Sequence, residues 1–213
     1  MSEKNIIQLI VGPIATNCWI CPYDGGKAAI IDPGDDAGLI ISTLEKSKLA
    51  PSYILLTHGH FDHIGAVPQL VLSFAGIQIA AHRLDSHYLG ADAYDAQIQS
   101  IKAATGRTDL VDDAWKEMPP ADILLEEGDK IACFSVLHLP GHTQGSAGFF
   151  DEDAGLLFTG DTLFNRGVGR TDLPGGSDDQ MHESLRRLFT MDGNIKVYPG
   201  HGRTTTIAQE ANR

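Results

Sequence analysis

The chain has 213 residues, with 28 Asp and Glu against 16 Lys and Arg, so its formal net charge is −12. At 42% hydrophobic and 21% charged it has the composition of a folded globular protein, and the acidic balance excludes nucleic acid or an anionic membrane as the main partner, since both need a basic face. Three cysteines cannot make a fully paired disulfide framework, the start MSEKNIIQLIVG lacks the pattern of a signal peptide, and no run approaches the roughly 18 apolar residues of a membrane span. The expectation is a cytoplasmic protein in which residues 1–213 form one domain.

In chain order, Ile6 to Val11, Cys18 to Cys21 and Lys27 to Ile31 read as strands, with Gly25-Gly26 as a hairpin signal. Asp36 to Lys48 has helical spacing, and the apolar run Tyr53 to Leu56 reads as a strand buried on both sides. Ile64 to Phe74 reads as a helix and Ile77 to Ala81 as a strand, giving the order βββαβαβ. Residues 83–118 are poor in β-branched residues and read as helix and loop, with Tyr94 to Ala104 the best helical stretch, hence a lid or insertion near a site. Strand signals return at Ile123 to Leu125, Ile131 to Leu139, Gly148 to Phe150 and Leu156 to Thr159. Asp178 to Thr190 reads as a helix and Ile195 to Tyr198 as the last strand. Two such halves around an irregular middle imply two packed sheets with helices outside, an α+β architecture.

The decisive segment is Thr57-His58-Gly59-His60-Phe61-Asp62-His63, which follows a buried strand and precedes a helix. Residues two apart in extended backbone point the same way, so His58 and His60 can grip one metal together. The turn into the helix then re-aims Asp62 and His63 toward a neighbouring position. Imidazole and carboxylate suit zinc, iron or manganese. Pro140-Gly141-His142-Thr143, Thr159-Gly160-Asp161-Thr162 and Tyr198-Pro199-Gly200-His201-Gly202 also sit at strand ends, where catalytic loops gather.

Together with Thr16-Asn17-Cys18, Ile31-Asp32-Pro33-Gly34 and Gly169-Arg170-Thr171-Asp172, these segments resemble the metallo-β-lactamase superfamily, and within it the short glyoxalase II-like hydrolases. The resemblance implies a four-layer αββα sandwich carrying two divalent metal ions, zinc with iron or manganese as alternatives. It assigns His58, His60 and His142 to the first metal, and Asp62, His63 and His201 to the second, with Asp161 bridging both. Asp32 matches an aspartate that orients a ligand histidine from behind. The implied reaction is hydrolysis of a thioester such as S-lactoylglutathione, by a hydroxide that Asp62 and Asp161 hold and orient. A thiolate leaves with little protonation, which fits the lack of a general acid in these motifs.

The longer glyoxalase II enzymes grip glutathione through a helical C-terminal domain, and this chain ends twelve residues after His201. Arg166, Arg170 and Arg203 flank the motif loops and could bind substrate instead. The persulfide dioxygenases share the fold, use a single iron, and carry a segment like Gly169-Arg170-Thr171-Asp172, which makes oxidation the alternative to hydrolysis. A β-lactamase or another ester hydrolase is a further alternative. Cys18-x-x-Cys21 lies in a strand pattern that turns the two thiols to opposite faces, so both are core residues. His82, His87, His138 and His182 belong to no motif and read as surface or capping residues, while packing is the simplest role for Tyr88, Tyr94 and Trp115.

Overall fold

Two six-stranded sheets face each other in the computed structural model, which describes residues 5–109 and 115–212. The first holds β1 (Ile7–Val11), β2 (Thr16–Tyr23), β3 (Lys27–Ile31), β4 (Ala50–Leu56), β5 (Gln78–His82) and β6 (Ile123–Leu125), side by side in that order. Its first three strands are antiparallel and β3 to β6 are parallel. The second holds β7 (Lys130–Ile131), β8 (Phe134–His138), β9 (Ala147–Asp151) and β10 (Leu156–Gly160), and a separate small hairpin follows, β11 (Leu163–Phe164) with β12 (Gly167–Val168). With β13 (Lys196–Pro199) and β14 (Thr205–Thr206) the second sheet runs in the order β14-β13-β10-β9-β8-β7.

Side-chain alternation builds the layers. Ile31 and Leu55 face the opposite sheet, where they meet Phe134, Phe149, Phe158 and Tyr198, while their neighbours Ile30 and Ile54 face the helices. The three phenylalanines are fully buried, each side chain worth roughly 1.5–3 kcal/mol in water exclusion. Outside the first sheet pack α1 (Ala37–Ser47), α2 (Phe61–Ile64), α3 (Val67–Ser73) and α4 (Ala93–Thr105). In α1 the buried residues Ala37, Ile40 and Leu44 fall on one stripe. Outside the second sheet lie α5 (Asp178–Phe189) and α6 (Ile207–Ala211). Ser177 caps α5, acidic Asp178 and Asp179 occupy its first turn, and Arg186 and Arg187 its last, each complementing the helix dipole. The result is the expected α+β sandwich of four layers, αββα.

Several boundaries differ from the sequence reading. The helix expected over Ile64 to Phe74 is two helices, because the Ala66 N–H bonds to the Pro33 carbonyl (2.9 Å) before α3 begins. The strand expected over Ile131 to Leu139 is the hairpin of β7 and β8, which turns through Ala132 at φ 52°. Strands β11, β12 and β14 and helix α6 are too short to read from periodicity. In the irregular middle, 3₁₀ turns at Arg83–Tyr88 and Gly90–Asp92 lead into α4. Part of the expected 83–118 segment, residues 110–114, lies outside the described residues. Cys18 and Cys21 are buried on opposite faces of the first sheet, as their spacing required. No helix among the described residues is long and apolar enough to cross a membrane.

Candidate metal centre

The loops after β3, β4, β8, β10 and β13 converge at one end of the paired sheets. Four of these strands, β3, β4, β10 and β13, lie in parallel pairings, and the ends of parallel strands are where open α/β sheets gather their ligands. Two groups of side chains meet there. His58, His60 and His142 place a ring nitrogen each within 4.8 Å of one another, as Asp62, His63 and His201 do with a carboxylate oxygen and two nitrogens. Asp161 stands between the groups. Its Oδ2 lies 3.7 Å from His142 Nε2 and 3.5 Å from His201 Nε2, and its Oδ1 lies 3.4 Å from His63 Nε2.

Hydrogen bonds behind the rings set their orientation. The His142 Nδ1–H donates to the Arg170 carbonyl (2.7 Å), which leaves Nε2 with a lone pair aimed at the cluster. His63 Nδ1 faces Asp32 Oδ2 at 3.0 Å. Asp32 is itself buried and accepts from the Thr57 N–H (2.8 Å) and the Thr57 hydroxyl (2.6 Å), so its carboxylate belongs to the scaffold beneath the rings. On the far side, the Thr16 hydroxyl donates to Asp62 Oδ2 (3.0 Å). The Asn17 side chain donates to the carbonyls of Pro199 (2.9 Å) and Gly202 (3.0 Å), fixing the loop of His201.

Charge and burial make this a candidate cation site. Burial, with His142 adding to it, lowers the His60 pKa to about 3, and burial drives His58 far down as well, so both rings are neutral. Burial would also lower His63, yet Asp62, Asp161 and Asp32 outweigh it and raise its pKa to about 10. Asp62 is pushed up by burial but held below the usual carboxylate range by His63 and His201. Three carboxylates therefore create a field that calls for positive charge. His58 Nε2, His60 Nε2 and Asp161 Oδ1 are buried with no hydrogen-bond partner. An unmatched buried polar atom costs about 1–3 kcal/mol, so three in one cluster of neutral imidazoles and carboxylates fit divalent cations.

All seven residues expected to ligate metal thus come together, with Asp32 behind His63. The arginines stand differently. Arg170 forks onto Asp172 (2.7 and 2.8 Å), whose pKa this bond lowers to about 2, so its guanidinium is already matched. Arg166 lines a cleft with Asn165, Arg203, Gln209 and Glu210, none of them in the histidine cluster. His82 is buried, accepts from the Leu84 N–H and stacks on His138 (centroids 4.1 Å apart), so it is a capping residue but not a surface one. Tyr88 is buried with its ring 5.6 Å from that of His60, and Tyr94 packs edge-on against Trp115.

The chain belongs to the metallo-β-lactamase superfamily, whose sequence profile matches residues 11–201. Among its relatives, the hydroxyacylglutathione hydrolase GloC of Haemophilus influenzae is 37% identical over 211 residues, covering 97% of this chain and 94% of its own. A solved structure of the BLEG-1 B3 metallo-beta-lactamase is 37% identical with a TM-score of 0.85, covering 98% of this chain and 97% of that one. Another, TTHA1623 in a di-iron-bound form, is 36% identical with a TM-score of 0.81 over 96% of each chain.

Proposed function

We propose that this chain is a binuclear metal-dependent hydrolase that cleaves acyl thioesters, with S-lactoylglutathione as the leading substrate. The observation that carries the reading is the pair of ligand groups sharing Asp161. His58, His60 and His142 would hold one divalent ion and Asp62, His63 and His201 the other, with Asp161 touching both. When bound, such ions supply Lewis acidity toward a carbonyl and toward water. The chain's own residues do the rest. Thr16 donates to Asp62 Oδ2 and holds that carboxylate where it would orient the attacking water. Asp32 and the Arg170 carbonyl keep His63 and His142 in one orientation. Tyr88 and Gly59 close the side of His60 against water. A thiolate departs with little protonation, so no residue need protonate it.

The H. influenzae relative supports glutathione as the carrier. It matches along 94% of its length, so a chain of nearly this extent bears the hydroxyacylglutathione name. Zinc is the leading metal, and the di-iron neighbour makes iron a specific alternative. A second reading, β-lactam hydrolysis, is favoured by the likeness to BLEG-1. The test is to count metals per chain and compare kcat/KM for S-lactoylglutathione with that for a chromogenic β-lactam, while following oxygen uptake with glutathione persulfide. Thiol release by protein carrying two metals is expected. Faster β-lactam turnover, or oxygen consumption by protein with a single iron, would overturn the proposal.

A further inference from the structure

Among the buried polar side chains of the segment Arg83 to Thr105, Asp85 (1% exposed) and Gln97 (0% exposed) stand outside the set of metal ligands. Both reach the one residue that links His58 to His60, on its two sides. The Gly59 N–H donates to Asp85 Oδ2 (3.0 Å), and Gln97 Nε2 donates to the Gly59 carbonyl (2.6 Å). Asp85 also holds the loop of the third histidine. The Thr143 hydroxyl donates to its Oδ2 (2.7 Å) and the Gly145 N–H to its Oδ1 (2.7 Å), bracketing the chain just beyond His142. Tyr88, from the same turn, packs so closely on Gly59 that a Cβ there would lie 2.4 Å from its Cβ and Cδ2.

We infer that Asp85 and Gln97 are positioning residues for the His58–His60–His142 group, clamping two ligand loops that are more than eighty residues apart in sequence. This rests on the metal reading of that group. The arrangement parallels Asp32, which ties Thr57 to His63 on the other side of the cluster. Burying a carboxylate is costly, and burial does raise the Asp85 pKa, but three donors converge on it and offset part of that cost. Such an aspartate is worth burying where two loops must keep one relative position, which is what three imidazoles closing on one cation demand. The segment, expected as a lid or insertion near a site, would on this reading order the ligands from beneath.

The test uses the full-length wild type with Asp85→Asn, Asp85→Ala, Gln97→Leu and, on the exposed side of α4, Lys102→Ala. Each protein is stripped of metal, checked for fold by circular dichroism, and titrated with Co(II) against a competing chromophoric chelator. The Asp85 and Gln97 variants should keep the wild-type fold yet lose roughly 10–100-fold in affinity at one of two sites. Asp85→Asn keeps an oxygen for Gly59 and Thr143 but turns an amide toward Gly145, so it should fall between wild type and Asp85→Ala. Lys102→Ala should match wild type. Should Asp85→Ala fail to fold, Asp85→Asn and Gln97→Leu still decide the matter. Unchanged affinities, or equal loss at both sites, would overturn the clamp alone. A wild type that binds no Co(II) would overturn the metal reading, and the clamp with it.

Discussion

Gly200→Ala probes how tightly the second ligand group is packed. A Cβ at Gly200 would lie 2.2 Å from Asp161 Oδ1 and 2.7 Å from His63 Cε1, whereas real Cβ contacts stay beyond 3.0 Å. The backbone cannot retreat, because the Gly200 N–H is bonded to the Gly160 carbonyl (2.8 Å) and its carbonyl to the Asn17 N–H (2.7 Å). Asp161 must therefore yield by about 0.8 Å and His63 by about 0.3 Å, the differences from 3.0 Å. Overpacking of this kind costs about 1–3 kcal/mol, or roughly 2–12 °C in Tm for a chain of this size. Displacing a reacting group by about 1 Å costs on the order of 100-fold in rate, so activity should suffer far more than the fold. The assay compares kcat for thioester hydrolysis, metal content and Tm with those of Gly76→Ala. Gly76 has φ +81° and open space around it, so its variant carries backbone strain without site contact. If Gly200→Ala retained two metals and turned over within about threefold of wild type, the crowding argument for Asp161 would be wrong.

Asp161→Asn should lose the second metal and most activity, and an atomic-absorption count of two per chain with normal turnover would refute the shared role of that carboxylate. Removing metal with a chelator should lower Tm, since a ligand at 100 times its Kd contributes about 2.7 kcal/mol; identical calorimetric traces with and without chelator would contradict the site. Phe158→Ala, at a fully buried position between the sheets, should cost about 3–5 kcal/mol in urea unfolding, and a loss below about 1 kcal/mol would mean that the inter-sheet layer is looser than described. His82 has its pKa lowered to about 4 by burial and then by His138, while the unfolded chain titrates near 6.5. The unfolded state thus binds more protons between these values, so the contribution of His82 is full above pH 6.5 and is lost as pH falls toward 4. Wild type should lose stability relative to His82→Phe across that window, and parallel stability curves would count against it.

What the sequence made legible follows from how local each feature is. His58, His60, Asp62 and His63 lie within six residues, so strand periodicity pairs His58 with His60, the turn into the helix re-aims Asp62 and His63, and the structure gathers them into two neighbouring groups. The βββαβαβ opening was readable for the same reason, since each element announces itself by alternation or helical spacing. The misplaced boundaries arise where a distant partner decides. The break before α3 comes from the Pro33 carbonyl, 33 residues upstream of Ala66, and the hairpin at Ala132 interrupts a run whose apolar composition reads as one strand. The same logic explains why Asp85 and Gln97 carry no signal in the sequence. Asp85 reaches Gly59 and Gly145 across 26 and 60 residues, and Gln97 reaches Gly59 across 38. Neither stands in a motif, and a lone Asp in a helical turn has the composition of a surface residue. A ligand must present a particular atom to the metal, so its residue type and spacing are constrained locally. A residue that orients a ligand loop needs only to meet a backbone N–H or carbonyl, which any element passing nearby can supply. Motif reading therefore recovers the atoms that would touch the ions, while the groups that hold those atoms still become visible only when chain segments far apart are brought into contact.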